Sequence, residues 1–207
     1  MIVLGLTGSV GMGKSRAARA LRRLGAAVFD ADAEVHKLMA RRGAAVVMVA
    51  AAFPDVALKC GAVDRGALAA RVFGDDDATD RLEAILHPLV RAAQGAFLMA
   101  ASARRQRLAV LDIPLLFETG GDAACDAVAV VTAPAFLQAQ RVLRRRGMTA
   151  ERLAAIRARQ MPDSEKLRRA DFVIHTGLDR RSSLRALRRM VSILTPPPDQ
   201  ESPPDHA

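Results

Sequence analysis

Eight residues near the amino terminus, Gly8-Ser9-Val10-Gly11-Met12-Gly13-Lys14-Ser15, meet every defined position of the pattern G-x-x-x-x-G-K-[ST]. Each defined residue type has a physical role. Glycines let the backbone turn and bring its N–H groups close to phosphate oxygens. The start of the helix that must follow adds the positive end of its dipole. A lysine at position 14 reaches the β- and γ-phosphates of a nucleoside triphosphate, and the Ser15 hydroxyl is a ligand for Mg²⁺. The pattern lies between an apolar run, Ile2 to Leu6, and a segment with apolar residues at helical spacing (Ala17, Ala18, Leu21, Leu24). Strand, loop and helix are the context this chemistry requires.

Phosphoryl transfer to an alcohol also needs a carboxylate that orients the acceptor hydroxyl and takes its proton. Asp30-Ala31-Asp32 ends a second short apolar run, Ala27 to Phe29. That is the carboxyl edge where ligands bind in open α/β sheets. Asp32 suits the catalytic role, and it equally suits capping a helix that starts at Ala33. Asp112 closes the run Leu108-Ala109-Val110-Leu111, as a ligand to Mg²⁺ through water or as a polar strand end. His36, His87 and His175 lack the spacing of a metal site and read as structural. Neither Asp-x-x-Gly nor Asn-Lys-x-Asp occurs, which argues against a switch GTPase. A small-molecule kinase with an arginine-rich lid remains.

The elements that must position these groups follow from periodicity and breakers. Strands are expected at Ile2–Leu6, Ala27–Phe29, Leu108–Ile113, Ala127–Thr132 and Phe172–His175. Helices are expected over 15–24, 31–42, 44–53, 64–73, 78–86, 89–105, 136–145, 149–160 and 180–194, with His87-Pro88 dividing two of them. Short, continuously apolar strands alternating with helices imply a parallel sheet covered on both faces. From Thr195 on, the Pro-rich polar tail cannot build a core and is expected to be disordered.

Composition narrows the partners. The 207 residues carry a net charge of +9 from 27 arginines and 4 lysines. Arginine grips phosphate in two-point contacts, so a polyanionic ligand is expected. With no Trp and no Tyr, the stacking platforms of single-strand binders are nearly absent, which weighs against nucleic acid. The amino terminus reads as a first strand, not a signal peptide. No apolar run looks long and charge-free enough to span a bilayer. Cys60 and Cys125 read as reduced thiols, so the expected compartment is the cytoplasm.

Taken in order and spacing, several segments resemble the dephospho-coenzyme A kinase family. They are Gly5-Leu6-Thr7-Gly8 with the loop, Asp30-Ala31-Asp32, His87-Pro88-Leu89-Val90-Arg91 and Pro114-Leu115-Leu116-Phe117-Glu118. Arg144 to Gln160 and Ala170-Asp171-Phe172-Val173-Ile174 before Thr176-Gly177 complete the set. The resemblance spans about residues 2–194. It implies one α/β P-loop kinase domain over 1–194 with a five-stranded parallel sheet in the order 2-3-1-4-5. A helical coenzyme-binding lobe over about 34–105 and a lid over about 141–160 belong to that expectation.

The implied reaction is ATP-dependent phosphorylation of the ribose 3′-hydroxyl of dephospho-coenzyme A, with Mg²⁺ accompanying ATP. On this reading Gly11, Met12, Gly13, Lys14, Ser15, Arg16 and Arg159 bind ATP, and Ser15 ligates the metal. Asp32, raised above the capping alternative by the resemblance, is the base. Lys14, Arg141 and Arg145 neutralise the transferring phosphate, while His87, Arg91 and Glu118 bind the coenzyme. A monomer free of nucleic acid and membrane is expected. Met12 stands where the family usually has Ser, Arg16 where Thr is common and His175 where Asp or Asn is frequent. The competing readings are another P-loop kinase of a nucleoside, nucleotide or sugar acid, and a basic nucleic-acid-binding protein carrying the same loop.

Overall fold

Isoleucine, valine and leucine at the amino terminus favour extended backbone, and Ile2–Thr7 forms β1 with its last four residues buried. This computed structural model describes residues 1–56, 58–145, 147–177 and 179–196. The expectation of a disordered tail therefore lies, from residue 197 on, outside the described residues. The order continues with α1 (Lys14–Arg23), β2 (Ala27–Asp30), α2 (Ala31–Leu38), α3 (Val46–Ala52), β3 (Leu58–Lys59) and β4 (Ala62–Val63). Then come α4 (Arg65–Val72), α5 (Asp76–Ala103), β5 (Leu108–Asp112), a 3-10 turn at Gly121–Ala124, and β6 (Ala127–Thr132). The last elements are α6 (Ala135–Leu143), α7 (Ala150–Arg159), α8 (Asp163–Arg169), β7 (Phe172–His175) and α9 (Arg180–Leu194).

The main sheet runs β2-β5-β1-β6-β7. Numbered among themselves, these five strands give the order 2-3-1-4-5 that the resemblance implies. β1 pairs in parallel with β5 and β6, and β6 in parallel with β7. Side chains alternate across a strand, so a strand buried on both faces must be apolar at every position. β6 meets that demand up to its last residue, Thr132: Val128 and Val130 pack with Leu116 and Phe117 on one face, and Ala129 and Val131 join Leu4, Leu6, Leu21 and Ile174 on the other. α1 and α9 close the second face through Ala17, Ala18, Leu187 and Met190.

The chain divides into two compact units, residues 1–29 with 101–207, and residues 30–100. The second has its own core, with Met39, Val49, Phe53, Val63, Leu68, Ala78 and Leu86 buried together. Within it, β3 and β4 form a small antiparallel hairpin, invisible in the sequence because two-residue strands carry no periodicity. Asp64 caps α4 by accepting the N–H groups of Gly66 and Ala67. α2 ends at Leu38, short of the Arg42 expected from the sequence, and Arg42 itself takes a left-handed φ of 63°.

A larger correction concerns α5. The two helices expected on either side of His87-Pro88 are one helix of 28 residues with Pro88 inside it. Proline deletes one helical N–H bond, but Leu82 and Leu86 before it and Leu89 after it pack on the same cluster. Joining the halves also makes the segment long and apolar enough, by length and composition, to cross a membrane. The expectation that no run qualifies does not hold.

Cys60 is exposed, whereas burial, with Asp122 and Asp126 nearby, pushes the Cys125 thiol up to about 11. At pH 8 about 0.1% of Cys125 is then thiolate, the reactive form. A maleimide should label Cys60 at least about tenfold faster than Cys125. Equal rates, read by peptide mass spectrometry, would contradict this packing.

Candidate active site

β1 ends at Thr7, whose hydroxyl donates to Pro114 O at 2.9 Å, and the phosphate loop begins with Gly8. Gly13, at φ 97°, is the residue from which α1 starts. A Cβ there would lie 2.9 Å from Thr176 Oγ1, so glycine is required by conformation and by space. Gly11, at φ 78°, is held as closely: a Cβ would stand 2.5 Å from Val142 Cγ2.

Three successive carbonyls of the loop are drawn outward by distant side chains. Gln138 Nε2 donates to Val10 O at 2.8 Å, Arg141 Nη1 to Gly11 O at 3.4 Å, and Thr176 Oγ1 to Met12 O at 2.5 Å. Arg141 is itself fixed, donating to Thr176 Oγ1 and Thr176 O at 3.2 and 2.9 Å. Met12 is buried, and its sulfur accepts the Ala133 N–H. The N–H groups of Gly11, Gly13, Lys14 and Ser15 take no acceptor among the described residues. Such a row of unpaired amides at a helix start is an anion cradle.

Lys14 Nζ sits 2.5 Å from Asp112 Oδ1, and both side chains are largely withdrawn from solvent, at 13% and 3% exposure. The residue read as a possible metal ligand thus holds the loop lysine in place. The exposed Ser15 hydroxyl makes no hydrogen bond among the described residues, which suits an oxygen ligand for Mg²⁺. Among the described residues, no group of three His, Cys, Asp or Glu side chains is arranged to hold a metal by itself.

Glu118, expected to touch the coenzyme, is turned inward. Its Oε1 accepts the Met161 N–H at 2.8 Å and lies 2.8 Å from Nζ of the fully buried Lys166. The Arg16 and Arg145 side chains are exposed and make no hydrogen bond or ion pair among the described residues, and Arg159 is exposed on α7. Arg16, Arg141, Thr176 and Gly177 line one end of a cleft of about 750 Å³ that continues between α1 and α9. Thr149 caps α7 as expected, accepting the Arg152 N–H.

In the second unit, the capping reading of Asp32 does not hold. α2 starts at Ala31, not Ala33, and Asp30 is its cap, accepting the Ala33 N–H at 3.0 Å. Asp32 stands on the first turn, exposed, and its side chain makes no hydrogen bond or ion pair among the described residues. His87 Nε2 lies 3.8 Å from Glu83 Oε2 on α5, and Arg91, one turn on, is exposed.

Sequence reasoning missed Gln138, Gln160 and Asp163. Gln160 Oε1 accepts the Val10 N–H at 3.1 Å, and Asp163 accepts the hydroxyls of Ser9 and Thr132. The only signal in the sequence was a glutamine at position 138, on the apolar face of α6.

A family model for dephospho-CoA kinase matches residues 2–179. The chain belongs to the dephospho-CoA kinase family. It is similar to the dephospho-CoA kinase of Rhodospirillum rubrum, 60% identical over 187 residues, covering 90% of this chain and 89% of that one. The dephospho-CoA kinase of Paramagnetospirillum magneticum is 65% identical over 166 residues, covering 80% and 78%. Among solved structures, TT1252 from Thermus thermophilus superposes with a TM-score of 0.79 at 36% identity, covering 94% of this chain and 98% of that one.

Removing the Lys14 ammonium breaks its ion pair with the buried Asp112, which costs about 3 kcal/mol. Lys14→Met should therefore melt well below the wild type, and adding Asp112→Asn should recover most of the loss without recovering phosphoryl transfer. Melting curves check this. A Lys14→Met protein as stable as the wild type would contradict the pairing.

Proposed function

We propose that the protein transfers the γ-phosphate of ATP to the ribose 3′-hydroxyl of dephospho-coenzyme A, giving coenzyme A and ADP. The observation that carries this reading is the loop with its carbonyls drawn outward and four N–H groups left open, in a chain of this family.

The open amides of Gly11, Gly13, Lys14 and Ser15 receive the phosphates, and Met12 holds the turn from below. Lys14 exchanges Asp112 for the γ-phosphate, where its charge offsets the charge that spreads over the equatorial oxygens in transfer. Arg16 lies at the mouth of the cleft beside Thr176 and Gly177 and borders the nucleotide. Arg145 and Arg159 converge on the transferring phosphate, whereas Arg141 acts mainly by bracing the loop. The Ser15 hydroxyl would hold a Mg²⁺ that arrives with ATP, and the ion would supply neutralisation of phosphate charge.

Asp32 orients the 3′-hydroxyl and takes its proton as the oxygen–phosphorus bond forms. His87 and Arg91 shape the coenzyme site in the helical lobe over about 34–105, and Glu118 contributes indirectly through Lys166 and Met161. The lid extends over about 141–160. We further propose a cytoplasmic monomer with no membrane or nucleic-acid partner.

Asp32→Asn tests the mechanism. Because Asp30 supplies the cap, this substitution should leave the melting temperature unchanged while turnover with dephospho-coenzyme A falls about 10²–10⁴-fold. Asp30→Asn, which keeps a capping side chain, should lose far less. ADP release is the readout. An Asp32→Asn enzyme within tenfold of wild type would leave this mechanism without its base.

A further inference from the structure

Val10 is gripped from both sides. Its carbonyl accepts Gln138 Nε2 at 2.8 Å, and its N–H donates to Gln160 Oε1 at 3.1 Å. Both glutamines lead to the same helix. Gln160 is the residue directly after α7, and Gln138 Oε1 accepts Arg157 Nη2, from the last turn of α7, at 2.5 Å. The orientation of the Gln138 amide is fixed by its partners: a carbonyl can only accept and a guanidinium can only donate. Gln138 is 4% exposed, so neither half of its amide can exchange its partner for bulk water without the site opening.

α7 buries little apolar surface. Leu153 is its one buried residue among those described, and Arg157 is exposed despite its bond. The polar ties from its carboxyl end, through Arg157 and Gln160, run to the loop that receives phosphate.

We infer that Gln138 is a positioning residue for the nucleotide: with Gln160 it clasps Val10, so the phosphate-ready shape of residues 9–13 depends on where α7 sits. Arg157 acts on nucleotide affinity through Gln138, not by touching phosphate. When Arg157 leaves Gln138, the amide loses the partner that aims its Nε2 at Val10 O, and the loop loses one of the three ties that hold its carbonyls outward. This inference rests on the loop binding ATP and is independent of the acceptor.

The test is a double-substitution cycle on the affinity of a non-hydrolysable ATP analogue, measured by calorimetry on the full chain. Gln138→Met keeps length and volume and removes both bonds, and Arg157→Met changes an exposed side chain. The first should weaken the analogue about tenfold and the second about fivefold. The double variant should match Gln138→Met alone, near tenfold, because both act on one tie. Independent effects would instead multiply to about fiftyfold. That result, or no loss in either single variant, would overturn the inference.

If Gln138→Met does not fold, Arg157→Met decides by itself. Without nucleotide, hydrogen exchange at residues 9–13 should speed up about tenfold, and unchanged exchange would overturn the inference. A wild-type protein that binds no analogue would defeat the functional reading itself, an outcome distinct from additive variants.

Discussion

An anion cradle made of backbone imposes a demand on the rest of the chain. If amide N–H groups face the ligand, the carbonyls of the same peptides face away, and each needs a donor or pays a desolvation penalty. Here those donors come from far along the sequence: Gln138 for Val10, Arg141 for Gly11 and Thr176 for Met12. Their positions depend on β6 and β7, which deliver α6 and the Thr176 turn to the loop through the register with β1. The sheet order serves this arrangement. β1 lies centrally, with β5 supplying Asp112 on one side and β6 leading to α6 on the other.

Charge is organised around the same loop. Lys14 would be an isolated cation near a cluster of arginines, and Asp112 gives it a carboxylate at 2.5 Å. The pair is buried enough that its attraction is weakly screened, and open enough that the lysine can exchange one anion for another. Away from the loop, Glu118 and the fully buried Lys166 hold the strand β5–β6 connection against the segment at Met161. An acidic residue that looked available for substrate is instead turned into the scaffold.

Much of this was legible in the residues. The loop pattern needs no tertiary information, and the five strands stand out because each is apolar at consecutive positions. The sheet order came from the resemblance, not from periodicity. Pro88 misled because a breaker acts on local preference, while Leu82, Leu86 and Leu89 pack on one cluster and keep α5 continuous. Asp32 was ambiguous by a shift of two residues: once α2 starts at Ala31, Asp30 is the cap and Asp32 is left over. The ties at Gln138 and Gln160 were illegible for a different reason. They join residues 128 and 150 positions apart, and a glutamine on a helix carries no mark of a carbonyl that distant.

The central claim is that the outward-braced loop serves phosphoryl transfer to one alcohol on one coenzyme precursor. Phosphorus NMR of the product, after incubation with ATP and dephospho-coenzyme A, tests it most directly. A new phosphate monoester on the ribose 3′-oxygen and ADP in equal amount are expected, with no comparable product from shikimate, gluconate or nucleosides. A phosphate at another position, or equal turnover on one of those other acceptors, would contradict it.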